Sequence, residues 1–314
     1  MADPLVLVRA VHLLATMLVV GTVFFDAVVL APAFAGAADV PARLHGRSHA
    51  LLAGGLALAV LSGAAWFGVL AMRLRDTSPF GATAWTLATE TQFGTVWMLR
   101  FAFAAALATG LAQASGARAS RGRTIIMLGA GAAFAGTLAW CGHGAATPGV
   151  AGGLHAAADA LHAFAAAVWL GGLLPLALLL GREGRNDDLP LPVLATVLRR
   201  FSALGVAAVA MLIASGVVNT LFALDRVAAL WTTDYGRALL VKIALFAGML
   251  VLAGYNRQTL TPGLARSANA HAAARLTHRL CVHAAIETAL GVAIIAIVAW
   301  LGITEPVAGG AHIH

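Results

Sequence analysis

The chain has 314 residues, 61% hydrophobic and only 11% charged. Soluble globular chains carry about 25% charged residues, so these numbers exclude a soluble fold and point to an integral membrane protein. The net charge of +7 is almost all arginine, and no basic run is interleaved with aromatics, which sets nucleic acid aside as a partner and leaves the lipid bilayer.

Met1-Ala2-Asp3-Pro4 lacks the basic stretch of a secretory signal, and the apolar run behind it is long enough to span a bilayer. It is read as the first span. Seven more runs follow, giving 5–31, 49–72, 92–114, 124–141, 154–180, 202–223, 236–256 and 280–303. The expected fold class is all-α, a polytopic membrane protein of eight transmembrane helices.

The first span carries His12, Met17, Gly21 and Asp26. A lone histidine on an apolar helix is as readily a hydrogen-bonded packing residue as a metal ligand. Met17, with Met98 in the third span, is a soft-ligand candidate whose plain alternative is gap-filling in the core. The third span opens Thr91-Gln92-Phe93-Gly94 and holds Arg100. The fourth ends in Cys141-Gly142-His143, a thiol and an imidazole able to hold a thiophilic ion, or simply a surface loop. Cys141 and Cys281 sit at helix ends expected on opposite faces, so no disulfide joins them.

The fifth span is the most informative. His155, Asp159 and His162 fall within about 60° of one another at 100° per residue, so they share one helix face. Ionisable groups in a bilayer are costly and usually face a protein interior or a watery cavity. Imidazole suits copper, zinc or iron, and a carboxylate is either a ligand or the group that fixes a tautomer. His155 and His162 are about 10.5 Å apart along the axis, too far to chelate one ion, so a site would use Asp159 with one of them. The plain alternative is a solvated helix end.

Asn219 closes the sixth span and is a neutral partner for these charges. Lys242 in the seventh and Arg100 lie at similar depth and are placed to neutralise Asp159, to reach outward, or to hold an anion. In the eighth span His283 and Glu287 are i and i+4 on one face, an exit site or proton relay, or a salt link to Arg279 or Arg43. Asp26 lies at a depth to join them. His271 and His278 are expected in solvent, and His312 and His314 close the chain.

Matches recur between the halves. His12 and His162 each precede a glycine by nine residues, Gly21 and Gly171. Ser62-Gly63 matches Ser215-Gly216. Arg100 and Lys242 each follow a glycine by six, and Ala139-Trp140 matches Ala299-Trp300. The expectation is a parallel duplication, 1–150 and 151–314, with four helices in each repeat. Equivalent residues then lie at equal depth, and His12 and His162 are expected to meet where the first and fifth spans pack. Alternate joins carry thirteen arginines against five in the other joins and ends, which places both termini outside.

The last three spans resemble the bacterial copper resistance protein D family. The resemblance rests on Arg200-Phe201-Ser202, Ser215-Gly216-Val217-Val218-Asn219, Thr232-Thr233-Asp234-Tyr235-Gly236-Arg237, Lys242, and Asn256-Arg257 before Leu260-Thr261-Pro262, within about 196–303. Leu154 to Pro175, with His162 and Trp169-Leu170-Gly171-Gly172, is also similar. The resemblance implies an inner-membrane protein, not an enzyme, that moves copper as Cu(I) or Cu(II), usually from periplasm to cytoplasm. Its candidate donor is a periplasmic copper-binding protein. No Walker A or Asp-Lys-Thr-Gly run occurs, so ATP is not the expected driver. A distant similarity to haem b-bearing four-helix cytochromes supplies an alternative, electron transfer with His12 and His162 as axial ligands. A membrane sensor is the third reading, and the short joins leave no room for its effector domain. The oligomeric state stays open.

Overall fold

A computed structural model describes residues 3–35, 40–113, 120–141, 149–186, 189–224 and 226–304, with the backbone alone for 182–186. Eight of its helices are long and apolar enough to cross a membrane. They are α1 (Pro4–Ala33), α2 (Ala42–Leu74), α3 (Gln92–Ala112), α4 (Arg121–Cys141), α5 (Gly149–Gly181), α6 (Leu191–Ala223), α7 (Asp234–Ala265) and α8 (Ala270–Leu301). No strand occurs among the described residues, and the chain is an all-α polytopic membrane protein.

Several helices outrun the apolar stretches. α2 begins at Ala42, α6 at Leu191 and α8 at Ala270, and α5 continues as helix to Asn186. Hydropathy marks only what lipid covers, whereas a nucleated helix propagates through Arg- and Ala-rich turns at little cost. His271 and His278 therefore lie on the first turns of α8, where both are exposed.

The starts follow from side-chain caps. Asp3, Thr91, Ser120, Thr233 and Asn269 each accept a hydrogen bond from a backbone amide in the first turn. Asp3 also pairs with Arg73 at the end of α2. The Leu5 amide, then Arg73, hold its carboxyl below the usual carboxylate range. The joins before α3 and α7 contain short helices, Phe80–Thr89 and Ala229–Thr232, which the composition of those joins did not announce. A Cβ at Gly94 would lie 2.3 Å from the Leu87 carbonyl oxygen, and one at Gly236 2.1 Å from that of Ala229. Only glycine lets each span start so close to its short helix.

Prolines shape three spans. Pro32 has no N–H for the Val28 carbonyl, and α1 widens just before it into a π turn, Phe25–Leu30. Arg200 of α6 donates to that Val28 carbonyl at 3.3 Å. α7 has a second π turn, Asn256–Leu260, ahead of Pro262. Pro175 lies inside α5 and frees the carbonyl of Gly171.

α1 and α5 form the centre, with 67% of the most apolar part of each buried against 11% for α7. α1 packs on α2 and α4, and α3 on α4; α5 packs on α6 and α8, and α7 on α8. Between the two sets α1 lies on α5 and α8, and α4 on α5. α1 and α5 cross at Gly21 and Gly171, where a Cβ on Gly171 would stand 1.8 Å from the Met17 carbonyl oxygen. The core of Val19, Val20, Val23, Val168, Leu173 and Leu176 closes around that crossing.

Candidate metal site at one end of the bundle

α5 and α6 run antiparallel, so Asp159 and His162 on one meet Asn219 and Ser215 on the other. Each pair is one helical turn apart, which makes two rungs. His162 Nδ1 lies 3.0 Å from Ser215 Oγ. Ser215 gives its single hydroxyl hydrogen to the Met211 carbonyl at 2.6 Å, so it must accept from the imidazole. The hydrogen of His162 is therefore on Nδ1, and Nε2 presents a lone pair. Nε2 has no hydrogen-bond partner among the described residues. Such a fixed tautomer is how metal-binding histidines are prepared.

The second rung is Asn219 Nδ2 donating to Asp159 Oδ1 at 2.7 Å. That orientation turns Asn219 Oδ1 the other way, where it is buried without a hydrogen-bond partner. A buried acceptor without a donor is rare, and a water or a cation would satisfy it. Half-buried Lys242 of α7 is near enough to act on the charges of both Asp159 and His162. His155 lies one turn beyond Asp159 with its ring flat on Phe222, centroids 4.5 Å apart. His155, Asp159 and His162 share a face, yet no three His, Cys, Asp or Glu side chains among the described residues gather as a metal cluster. A cation here would take His162, Asp159 and the amide oxygen of Asn219.

α1 and α2 carry the same ladder with different ends. His12 Nδ1 lies 3.0 Å from the Ala59 carbonyl oxygen and 3.2 Å from Ser62 Oγ, whose own hydrogen goes to Leu58. The tautomer is again Nδ1–H. Here Arg100 Nη2 sits 2.7 Å from His12 Nε2 and fills its lone pair. Three residues before His12, where α5 has Asp159, stands Arg9. Four after Ser62, where α6 has Asn219, stands Trp66. The Arg9 guanidinium lies over the Trp66 ring, 4.5 Å from its centroid. The place of His155 and Phe222 is taken by Leu5 and Val69, both in an apolar cluster.

This geometry bears on several expectations. The glycines beside His12 and His162 cross, while His12 is bonded to α2 and α3 and His162 to α6, and no hydrogen bond or ring contact joins the two imidazoles among the described residues. Both ring nitrogens of His12 are engaged in this arrangement, Nδ1 by Ala59 and Ser62 and Nε2 by Arg100. Arg100 does not neutralise Asp159. It is 1% exposed and holds His12, Thr16, Thr137 and the Phe134 carbonyl. Met98 is 54% exposed and faces away from the bundle, while Met17 is packed in the main core. Cys141 is a free thiol packed beside the Leu5, Trp66 and Trp97 cluster. His143, His312 and His314 lie outside the described residues. Toward the opposite end, His283 and Glu287 meet Asn256 rather than an arginine, and Asp26 bonds Ser48 rather than joining them.

Ser62 and Ser215 were legible only as markers of a repeat. Their four-residue spacing from Trp66 and Asn219 is what a helical ladder requires. Arg100→Met would leave His12 Nε2 and the Thr16 and Thr137 hydroxyl oxygens without their donor, at about 1–3 kcal/mol per orphaned group. A clear drop in the thermal midpoint of detergent-purified protein is expected.

Two family models match the chain. One described as "Copper resistance protein D-like, N-terminal domain" covers residues 1–153, and "Copper resistance protein D" covers 195–301. Most of α5, with Asp159 and His162, falls between the two matched segments. The chain is similar to Copper resistance protein D of Pseudomonas syringae pv. tomato, 32% identical over 76% of this chain and 79% of that protein. Inner membrane protein YebZ of Escherichia coli (strain K12) is 32% identical over 73% of this chain and 74% of its own length. Copper transport protein CutJ of Bacillus subtilis (strain 168) is 36% identical, over 42% of this chain and 24% of that protein. No solved structure matches the chain.

Proposed function

This chain belongs to the copper resistance protein D family, and from that premise we propose that it carries copper across the bacterial inner membrane, taking it up at the His162 end. The observation that carries the reading is the pair of unpartnered acceptors, His162 Nε2 and Asn219 Oδ1, flanking the Asp159 carboxylate. Imidazole nitrogen suits copper, and the carboxylate lowers the cost of a cation in a poorly solvated place. Lys242 balances Asp159 when the site is empty and must yield as the metal arrives.

The reading takes the chain as two four-helix units, 1–150 and 151–314. Their matched ladders and neighbour patterns support it. One unit holds the cation, and the other, with Arg9 and Arg100 in place of Asp159 and Lys242, is closed to it. The arginine bias of alternate joins favours both termini on the periplasmic side, so that uptake runs inward. A periplasmic copper-binding protein is the donor that such an orientation fits.

The test is copper accumulation in cells that express the protein, with its membrane level measured alongside. Wild type is expected to raise cell copper above the empty vector, and Asp159→Asn to return it to that background at equal protein level. No rise with wild type, or the same rise with Asp159→Asn, would overturn the proposal. An absorption spectrum separates it from haem-based electron transfer, because the copper reading expects no Soret band.

A further inference from the structure

A second polar cluster lies deeper in the bundle. Glu287 of α8 is 2% exposed, the most buried carboxylate among the described residues. Asn256, which opens the π turn of α7, donates from Nδ2 to Glu287 Oε1 at 2.9 Å. Its Oδ1 faces His283 Nδ1 at 2.7 Å. Since Asn256 gives its hydrogen to the carboxylate, Oδ1 can only accept, and His283 donates from Nδ1. The chain is ordered, His283 to Asn256 to Glu287, with each hydrogen pointing toward the carboxylate. The Tyr255 ring also packs beside His283, with centroids 5.9 Å apart.

Two features make this more than a packing contact. Glu287 has no ion pair among the described residues, and its Oε2 has no hydrogen-bond partner there. An ionised carboxylate on a residue this buried, with one hydrogen bond and no ion pair, is costly, and a proton or a cation on Oε2 relieves that cost. The widened backbone that presents Asn256 is a π turn, a device found frequently at functional sites. Along α7 this cluster is 14 residues from Lys242, about 21 Å at the helical rise, so it lies on the way from the His162 end to the other face.

We propose that Glu287, oriented by Asn256 and His283, exchanges a proton for the passing copper ion and so couples metal movement in one direction to proton movement in the other. This rests on the transport reading above. The exchange is balanced: a carboxylic acid and Cu(I) give a copper carboxylate and a proton. Oε1 stays held by Asn256, Oε2 changes occupant, and the released proton leaves by way of His283 or water. His283 and Asn256 are positioning residues, and Glu287 is the group that touches the ion.

Two measurements on purified full-length protein test this. Infrared difference spectra of the metal-free protein across neutral pH should contain a protonated-carboxyl band that Glu287→Gln removes. A Glu287 that stays ionised over that range overturns the proposal whatever the cargo proves to be. In liposomes containing a pH-sensitive dye, Cu(I) supplied outside with a reductant should enter wild type with a matching outward flow of protons. In Glu287→Gln the copper-driven proton signal should fall to below about a tenth of wild type. His283→Ala should keep the exchange but shift its pH profile. Copper entry without proton movement in wild type overturns the coupling and leaves the transport reading intact. Absence of copper entry in wild type refutes both.

Discussion

His162→Ala is expected to lower copper affinity by more than about 100-fold and to stop uptake, while the protein still reaches the membrane. The imidazole contributes, from Nε2, a nitrogen lone pair that has no hydrogen-bond partner among the described residues. Its loss removes coordination and little packing, since the ring is half-buried and Ser215, which accepts from it, keeps its own bond to Met211. Ser215→Ala is a finer probe. It removes the acceptor that holds the hydrogen on Nδ1, and should weaken copper binding by about 10- to 100-fold, as losses around metal-binding histidines commonly do. Ser62→Ala makes the same chemical change beside His12, whose lone pair Arg100 fills, and should leave copper affinity unaltered. Isothermal titration with Cu(I) on the three variants separates the two sets of helices. Equal losses in Ser62→Ala and Ser215→Ala would mean that the ladders are not functionally distinct.

Gly171→Leu is expected to abolish the folded state. Even a Cβ at this position would lie 1.8 Å from the Met17 carbonyl oxygen, and at Gly21 2.0 Å from the Gly171 carbonyl carbon. No rotamer change relieves a clash with backbone. α1 and α5 would have to separate along the crossing that the rest of the bundle surrounds. Lipid tails solvate apolar side chains as well as a neighbouring helix does, so association in a bilayer depends on close packing, and small residues at the crossing provide it. Loss of the monodisperse peak in detergent and rapid proteolysis are the expected readouts. Gly54→Ala, at a glycine where a Cβ meets nothing within 4 Å, should be silent in both.

Much of this architecture was readable from the residues. The eight spans follow from apolar runs, because lipid demands about twenty such residues per crossing. The nine-residue spacing of Gly21 and Gly171 from a histidine announced the crossing of the first and fifth spans. Facing was not readable. A glycine crossing fixes depth and distance, yet the rotation of each helix depends on what its flanks meet, and Ser62 and Ser215 each engage the imidazole beside them. The role of Arg100 was hidden for a related reason: a buried cation was expected to seek a carboxylate, and none is its partner here. Its two terminal nitrogens meet an imidazole lone pair, two hydroxyls and a carbonyl, with the Phe134 ring 4.5 Å away, while Nε is buried without a partner. The ladders on α1 and α5 became comparable only when Arg9 and Trp66 fell at the places of Asp159 and Asn219. The π turn that presents Asn256 has a visible cause in Pro262, but its direction does not follow from sequence spacing.

We propose that copper crosses this protein by way of the site between α5, α6 and α7. Uptake of Cu(I) by liposomes containing the purified chain, compared between wild type and His162→Ala, tests it most directly. Saturable uptake is expected of wild type, and none above empty liposomes of His162→Ala. Uptake that persists in His162→Ala, or wild-type liposomes no more permeable to copper than empty ones, would contradict it.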